Sequence, residues 1–192
     1  MNIFSGQDAA DIFQHYHEII SKESDRGAVL VAAALLDFGL EAALKKKLVL
    51  SVESKDPLFN NGNSPFSTFS SKIELSFRLG LITEQTKQML NIFRKLRNDF
   101  AHSVDICTFS EERVKDRLMA AFDKHTELYS AVLATARVEF NNLSRNNKIY
   151  ESSENPLDGP QGVRIIFDCF FASTAMALSR LEHAIERIKE LK

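Results

Sequence analysis

Ala28-Val29-Leu30-Val31-Ala32-Ala33-Ala34-Leu35-Leu36 is the longest apolar run in this chain, and its reading decides the fold. The run is far too short to span a bilayer. Ser24 or Asp25 just before it can cap a helix, and the apolar pattern continues through Phe38, Leu40, Leu44 and Leu48. Lys45-Lys46-Lys47 follow near the far end, where cations suit the helix dipole. A helix that is apolar all round belongs in the middle of a domain.

Working outward, the same helical spacing recurs. Ser5 and Asp8 precede Ala9, Ile12, Phe13, Tyr16 and Ile19-Ile20, a first amphipathic helix. Asp56-Pro57 and Asn60-Asn61-Gly62-Asn63-Ser64-Pro65 form a loop. A third helix is predicted from about Phe66 to Leu79, with Gly80 as its C-cap. Thr83 caps a fourth, Glu84 to about Phe100, with Met89, Ile92, Phe93, Leu96 and Phe100 on one face. Ser110 with Glu111 and Glu112 starts a fifth, running through Phe122 and Leu133 as far as Leu143. A polar loop at 145–162 leads to a last helix at about 163–191. No segment alternates with period two. The expectation is an all-α, irregular antiparallel bundle of five to seven helices, one domain over 1–192 with its core at about 24–135.

Composition narrows the function. The chain has 192 residues, 44% hydrophobic and 26% charged, as in ordinary globular proteins. A net charge of −2 gives no global field for nucleic acid or anionic lipid, so any phosphate site must be local. The N-terminus lacks the regions of a signal peptide. Cys107 and Cys169 are too few for a disulfide framework or zinc site and read as ordinary thiols of a reducing cytoplasm, Cys107 as a buried one. No cofactor motif occurs and no metal site is predicted: His15 and His17 point to different sides of a helix, and His125 and His183 stand alone. Glu111-Glu112 read as helix-start carboxylates. Fifteen phenylalanines and no tryptophan predict a core of phenyl rings.

One segment carries candidate chemistry: Arg97-Asn98-Asp99-Phe100-Ala101-His102. Five residues of ideal helix leave Arg97 and His102 about 140° apart, so they converge only if the helix ends near Phe100 and frees His102. Asn98 can then hold the histidine or a carbonyl. Arg94, Lys95 and Arg97 add positive charge, offset in part by Asp99. A base beside a 2′-hydroxyl and a cation on the phosphate suffice for metal-independent RNA cleavage. The opposing reading is a polar cap at a helix end.

Arg97-Asn98-x-x-x-His102, closing a helix in an all-helical protein, resembles the signature of HEPN domains, which include metal-independent endoribonucleases and non-catalytic members. That resemblance implies a dimer in which two motifs line one cleft, with Arg97 on the scissile phosphate, His102 as acid or base and Asn98 in support. Ala32 to His102 is also similar to the mannitol operon repressor family. The likeness rests on Ala32-Ala33-Ala34-Leu35-Leu36-Asp37-Phe38-Gly39-Leu40-Glu41, on Pro65 to Ile73 with Leu79-Gly80-Leu81-Ile82, and on Leu96 to His102. It implies a small regulator of carbohydrate-uptake genes. No basic recognition helix is present, so direct DNA binding is not expected.

The reading adopted is a cytoplasmic regulator that acts through a protein partner and dimerises, through the apolar face of its second or last helix. The alternative is the ribonuclease using Arg97, Asn98 and His102, with RNA as its partner. A membrane partner is not expected. The loop from Val52 to Ser64 reads as a poor contributor to the core and as a partner-facing or lid segment.

Overall fold

The computed structural model describes residues 6–53, 55–59, 63–103, 107–147 and 159–190. Among them are seven α-helices and no strand: α1 (Gln7–Ser21), α2 (Asp25–Lys47), α3 (Phe69–Arg78), α4 (Glu84–His102), α5 (Glu112–Phe122), α6 (Thr126–Asn147) and α7 (Pro160–Ala184). The chain is an all-α bundle, as its periodicity predicts.

Side-chain caps start three helices. The Ser24 hydroxyl accepts the Gly27 N–H at 3.1 Å, and Thr83 accepts Thr86 N–H at 3.2 Å. Thr68 accepts Ser71 N–H, which delays α3 to Phe69, three residues later than the pattern suggests. Pro65 and Phe66 lie instead in a turn, where Phe66 N–H reaches the Leu58 carbonyl. Gly80 has φ +68°, a left-handed position that favours glycine, and its N–H closes α3 on the Phe77 carbonyl.

α7 is the hub. It packs on α1, α2 and α6, while α4 packs on α2, α3 and α5. Gly39 of α2 lets α7 approach: a Cβ there would stand 3.1 Å from the Leu178 Cβ. The predicted phenyl core is present. Phe93, Phe100, Phe109, Phe122, Phe167, Phe170 and Phe171 are fully buried, with Phe93 and Phe171 stacked at 4.0 Å. Such ring pairs add about 0.5–1.5 kcal/mol each beyond area burial.

Four expectations need correction. The fifth helix is not continuous to Leu143: a 3-10 turn, Asp123–His125, divides α5 from α6. There His125 Nε2 meets the Thr86 hydroxyl on α4 at 2.8 Å, a tertiary contact that periodicity does not encode. The last helix ends at Ala184, because Ile188 N–H and the Arg187 side chain turn to the Lys47 and Lys46 carbonyls at the open end of α2. The 52–64 loop does contribute to the core: Phe59 is 6% exposed and tilts against Phe66. The second helix is central on one side only. Phe38, with 73% exposure, faces outward, as do Leu30 and Ala34. Most of the 145–162 loop, and Ser5, lie outside the described residues.

α2 and α7 are each long and apolar enough to cross a membrane, by length and composition only. Their apolar windows are 44% and 78% buried in the bundle, so packing accounts for most of α7 and for less than half of α2.

Candidate functional site

The Arg97–His102 segment lies on α4. Met89, Leu90, Phe93, Leu96 and Phe100 bury one face of this helix. Arg94, Arg97 and Asn98 are half-buried beside that face, while Lys95 and His102 are exposed. The helix does not stop near Phe100. It runs through His102, and Ser103 N–H still donates to the Asp99 carbonyl at 2.9 Å. His102 is therefore not released, and it remains about 140° around the helix from Arg97.

Neither is the trio a polar knot. No hydrogen bond or ion pair joins the side chains of Arg97, Asn98 or His102 to another described residue. The end of α4 is tied instead by Arg26 of α2, whose guanidinium donates to the Ser103 carbonyl at 3.0 Å. Asp99, expected to offset the nearby cations, pairs with Arg117 on α5. Glu41 is likewise occupied by Lys45 and Lys72. Arg94 also lacks a partner, and its Nε is buried. The second half of α4 thus presents Arg94, Lys95, Arg97 and His102 without a carboxylate at ion-pair distance among the described residues.

A second charged cluster is used up internally. Arg164 of α7 donates Nε to both oxygens of Asp168 at 2.9 and 3.0 Å, and Nη1 to Asp25 at 2.9 Å. Its Nη2 reaches the Ile20 and Glu23 carbonyls, which closes the end of α1. Asp25 also accepts the Phe109 N–H at 3.0 Å. One guanidinium therefore joins α1, α2, α7 and the segment after α4. Burial pushes the Asp168 carboxyl up to about 6, against the pull of Arg164. His17, Ser21 and Gln161 line the rest of this cleft of about 510 Å³.

A third cluster links α2 to α3. Lys72, with a side chain only 4% exposed, holds Asp37 at 2.9 Å and Glu41 at 2.7 Å. Burial opposes its charge, but the two carboxylates outweigh burial and keep its pKa above the ordinary value. The other large cleft, about 540 Å³ and mostly apolar, lies between α1, α6 and α7 beside Phe13, Leu128, Val132 and Met176.

The remaining candidates take structural places. Cys107 and Cys169 are buried free thiols. Glu111 accepts the Thr108 N–H at 3.1 Å and pairs with Arg113, which together hold it below the usual carboxylate range. His17 stacks on Phe13, and His15 lies against Tyr16. Burial lowers His125. His183 is exposed. Among the described residues no three His, Cys, Asp or Glu side chains gather as a metal site would need.

Sequence reasoning missed Arg26 and Arg164, and both left a signal. Arg26 lies in the first turn of α2 and Arg164 in the opening turns of α7, where a cation opposes the helix dipole. Each is held in part from outside its own helix, Arg26 by the Ser103 carbonyl and Arg164 by Asp25 and the Ile20 and Glu23 carbonyls.

No protein-family model matches this chain, and no curated protein matches it. Among solved structures it is similar to a chain in the X-ray structure of the MtlR–HPr complex from Escherichia coli, with a TM-score of 0.52 and 15% identity. The match covers 90% of this chain and 97% of that one. The bundle is thus a fold shared with that complex, over nearly the whole length of both chains.

Proposed function

We propose that this chain is a cytoplasmic regulatory protein of the mannitol-operon-repressor type, a single helical domain that dimerises and acts through protein contacts. The observation that carries the reading is the shared fold: the similar chain belongs to a complex with a second protein, HPr, and the match spans 90% of the present sequence. The net charge of −2 and the absence of a basic recognition helix in the sequence support contact with protein over DNA. Isothermal titration of the purified chain with HPr tests the partner, and gel shifts on operator-length DNA test the other route. Saturable HPr binding without a shift is expected. A DNA complex that weakens steeply with salt, with no heat from HPr, would sink the reading, because that slope reports phosphate contacts.

One observation keeps a second reading open, a metal-independent endoribonuclease. Arg97, Asn98 and His102 are not consumed by bonds to described residues, and His102 is exposed. In this reading Arg97 holds the scissile phosphate, His102 moves the proton and Asn98 supports it, and because α4 keeps Arg97 and His102 about 140° apart within one chain, the cleft needs the second motif of a dimer partner. RNA incubated in EDTA with wild type and with His102→Ala decides the matter. Cleavage to 2′,3′-cyclic phosphate ends that disappears in the variant would replace the regulator reading. Intact RNA in both reactions would remove the nuclease.

A further inference from the structure

α1 is held by little of its own sequence. Of its 15 residues only Ala9 and Ile20 are buried. Gly6, with φ +101°, precedes it without a side-chain cap, and no cation stands in its last turn. Gln7 bonds Asp11, while Gln14 and Lys22 both engage Glu18, so these polar groups act within the helix or just beyond it. α1 packs on α7 and, to a lesser extent, on α2. A helix with few buried side chains and poorly satisfied ends opens ahead of the elements around it.

One flank of α1 borders open space at both ends. Ala10, Phe13, His17 and Ser21 follow at helical spacing and share that flank. Ala10 and Phe13 line the cleft of about 540 Å³, and His17 and Ser21 line the cleft of about 510 Å³. α7 supplies the facing wall in the same manner, with Met176 in the first cleft and Ile165 in the second. Cys169 and Ala172 lie between those two on the same stripe of α7, and they are 1% and 0% exposed. The stripe is therefore open at two places and covered in between.

We infer that α1 is a strap across one continuous trough on α7, latched at its C-terminal end by Arg164, and that it opens as a unit while the other helices stay folded. The Arg164 Nη2 donates to the Ile20 carbonyl at 3.0 Å and to the Glu23 carbonyl at 2.9 Å. Asp168 and Asp25 fix the rest of the same guanidinium, so the latch is anchored on α7 and α2 and grips α1 from outside. Ser21, Lys22 and Glu23 are exposed and precede the Ser24 cap of α2, which gives the chain a place to bend. Opening joins the two clefts and uncovers Cys169. The trough so formed is apolar toward Met176 and charged toward Asp168.

Deuterium exchange resolved by peptide, together with the rate at which the buried native thiol of Cys169 reacts with a maleimide, reads the opening on the full chain. The α1 amides should exchange about tenfold or more faster than the slowest amides of α4 and α7. Cys169 labelling should rise with urea less steeply than global unfolding does, because only one helix leaves the bundle. Gln14→Pro breaks α1 at an exposed position. The remaining helices should still unfold cooperatively, with Cys169 reacting about tenfold or more faster than in wild type. Arg164→Gln should accelerate Cys169 in the same direction. Exchange in α1 as slow as in α7, or Cys169 labelling with the full urea slope of global unfolding, overturns the strap. Loss of the whole fold in Gln14→Pro overturns it too. Fast α1 exchange with Cys169 still protected overturns the continuous trough, and an unchanged Cys169 rate in Arg164→Gln overturns the latch.

Discussion

Arg164 on α7 and Arg97 on α4 belong to the same bundle, and their guanidinium groups meet opposite circumstances. Arg164 donates to Asp168, Asp25 and the carbonyls that end α1, and it lies over the Phe109 ring. Arg97 donates to no described residue, although Asp99 lies two positions away. The difference teaches how to tell a cation that holds a fold from one that is available. The Arg164 side chain is 16% exposed and lies against the buried Asp168, so most of its donors must be matched within the protein. Arg97 is half-buried beside solvent, where water supplies partners and no internal acceptor is required.

The sharpest way to break the contrast is Arg164→Ala. It would leave Asp168 buried without its cation and remove one donor from the Ile20 and Glu23 carbonyls. A loss of about 3–5 kcal/mol is expected in urea denaturation, as for one partner removed from a buried pair. A loss below about 1 kcal/mol would show that the cluster is not what joins α1, α2 and α7.

Asp168 sharpens the same contrast through pH. Its folded pKa is about 6, against about 3.9 for an unfolded aspartate. Between those values the folded chain keeps a proton that the unfolded chain has released, so this group's contribution to stability falls as pH rises through that window. Asp168→Asn cannot titrate. Wild type should therefore lose about 1–3 kcal/mol relative to Asp168→Asn between about pH 4 and pH 6. Parallel stability curves for the two proteins would remove the assigned shift.

The smallest effects are expected on α4. Arg97→Ala and His102→Ala should each change stability by less than about 0.5 kcal/mol, because neither side chain carries an internal bond. A thermal shift well beyond that range would place one of them in the structural class with Arg164.

Much of the architecture was legible in local patterns. The Ser24 and Thr83 caps, the left-handed Gly80 and the apolar face of α4 follow from residue type and spacing, because each depends on neighbours within a turn or two. The failures share one cause. The end of α7, the break at Asp123–His125 and the buried Phe59 each depend on a group outside the local helical repeat: Lys46 and Lys47, Thr86, and Phe66 with Lys45. The candidate site divides in the same way. Its residue types were readable. Its geometry turned on whether α4 ended at Phe100, and there Arg26 holds the Ser103 carbonyl beyond a helix that continues to His102.

By itself, then, the sequence determined the all-α class, the phenyl-rich core and the place of the one segment with catalytic residue types, because helix periodicity and hydrophobicity act over short spans of chain. Only the tertiary structure decided which long apolar helix is enclosed and which keeps an open ridge, and which arginine is bound and which is available. Burial and charge pairing depend on what packs alongside, and two helices of similar composition differ there without differing in pattern.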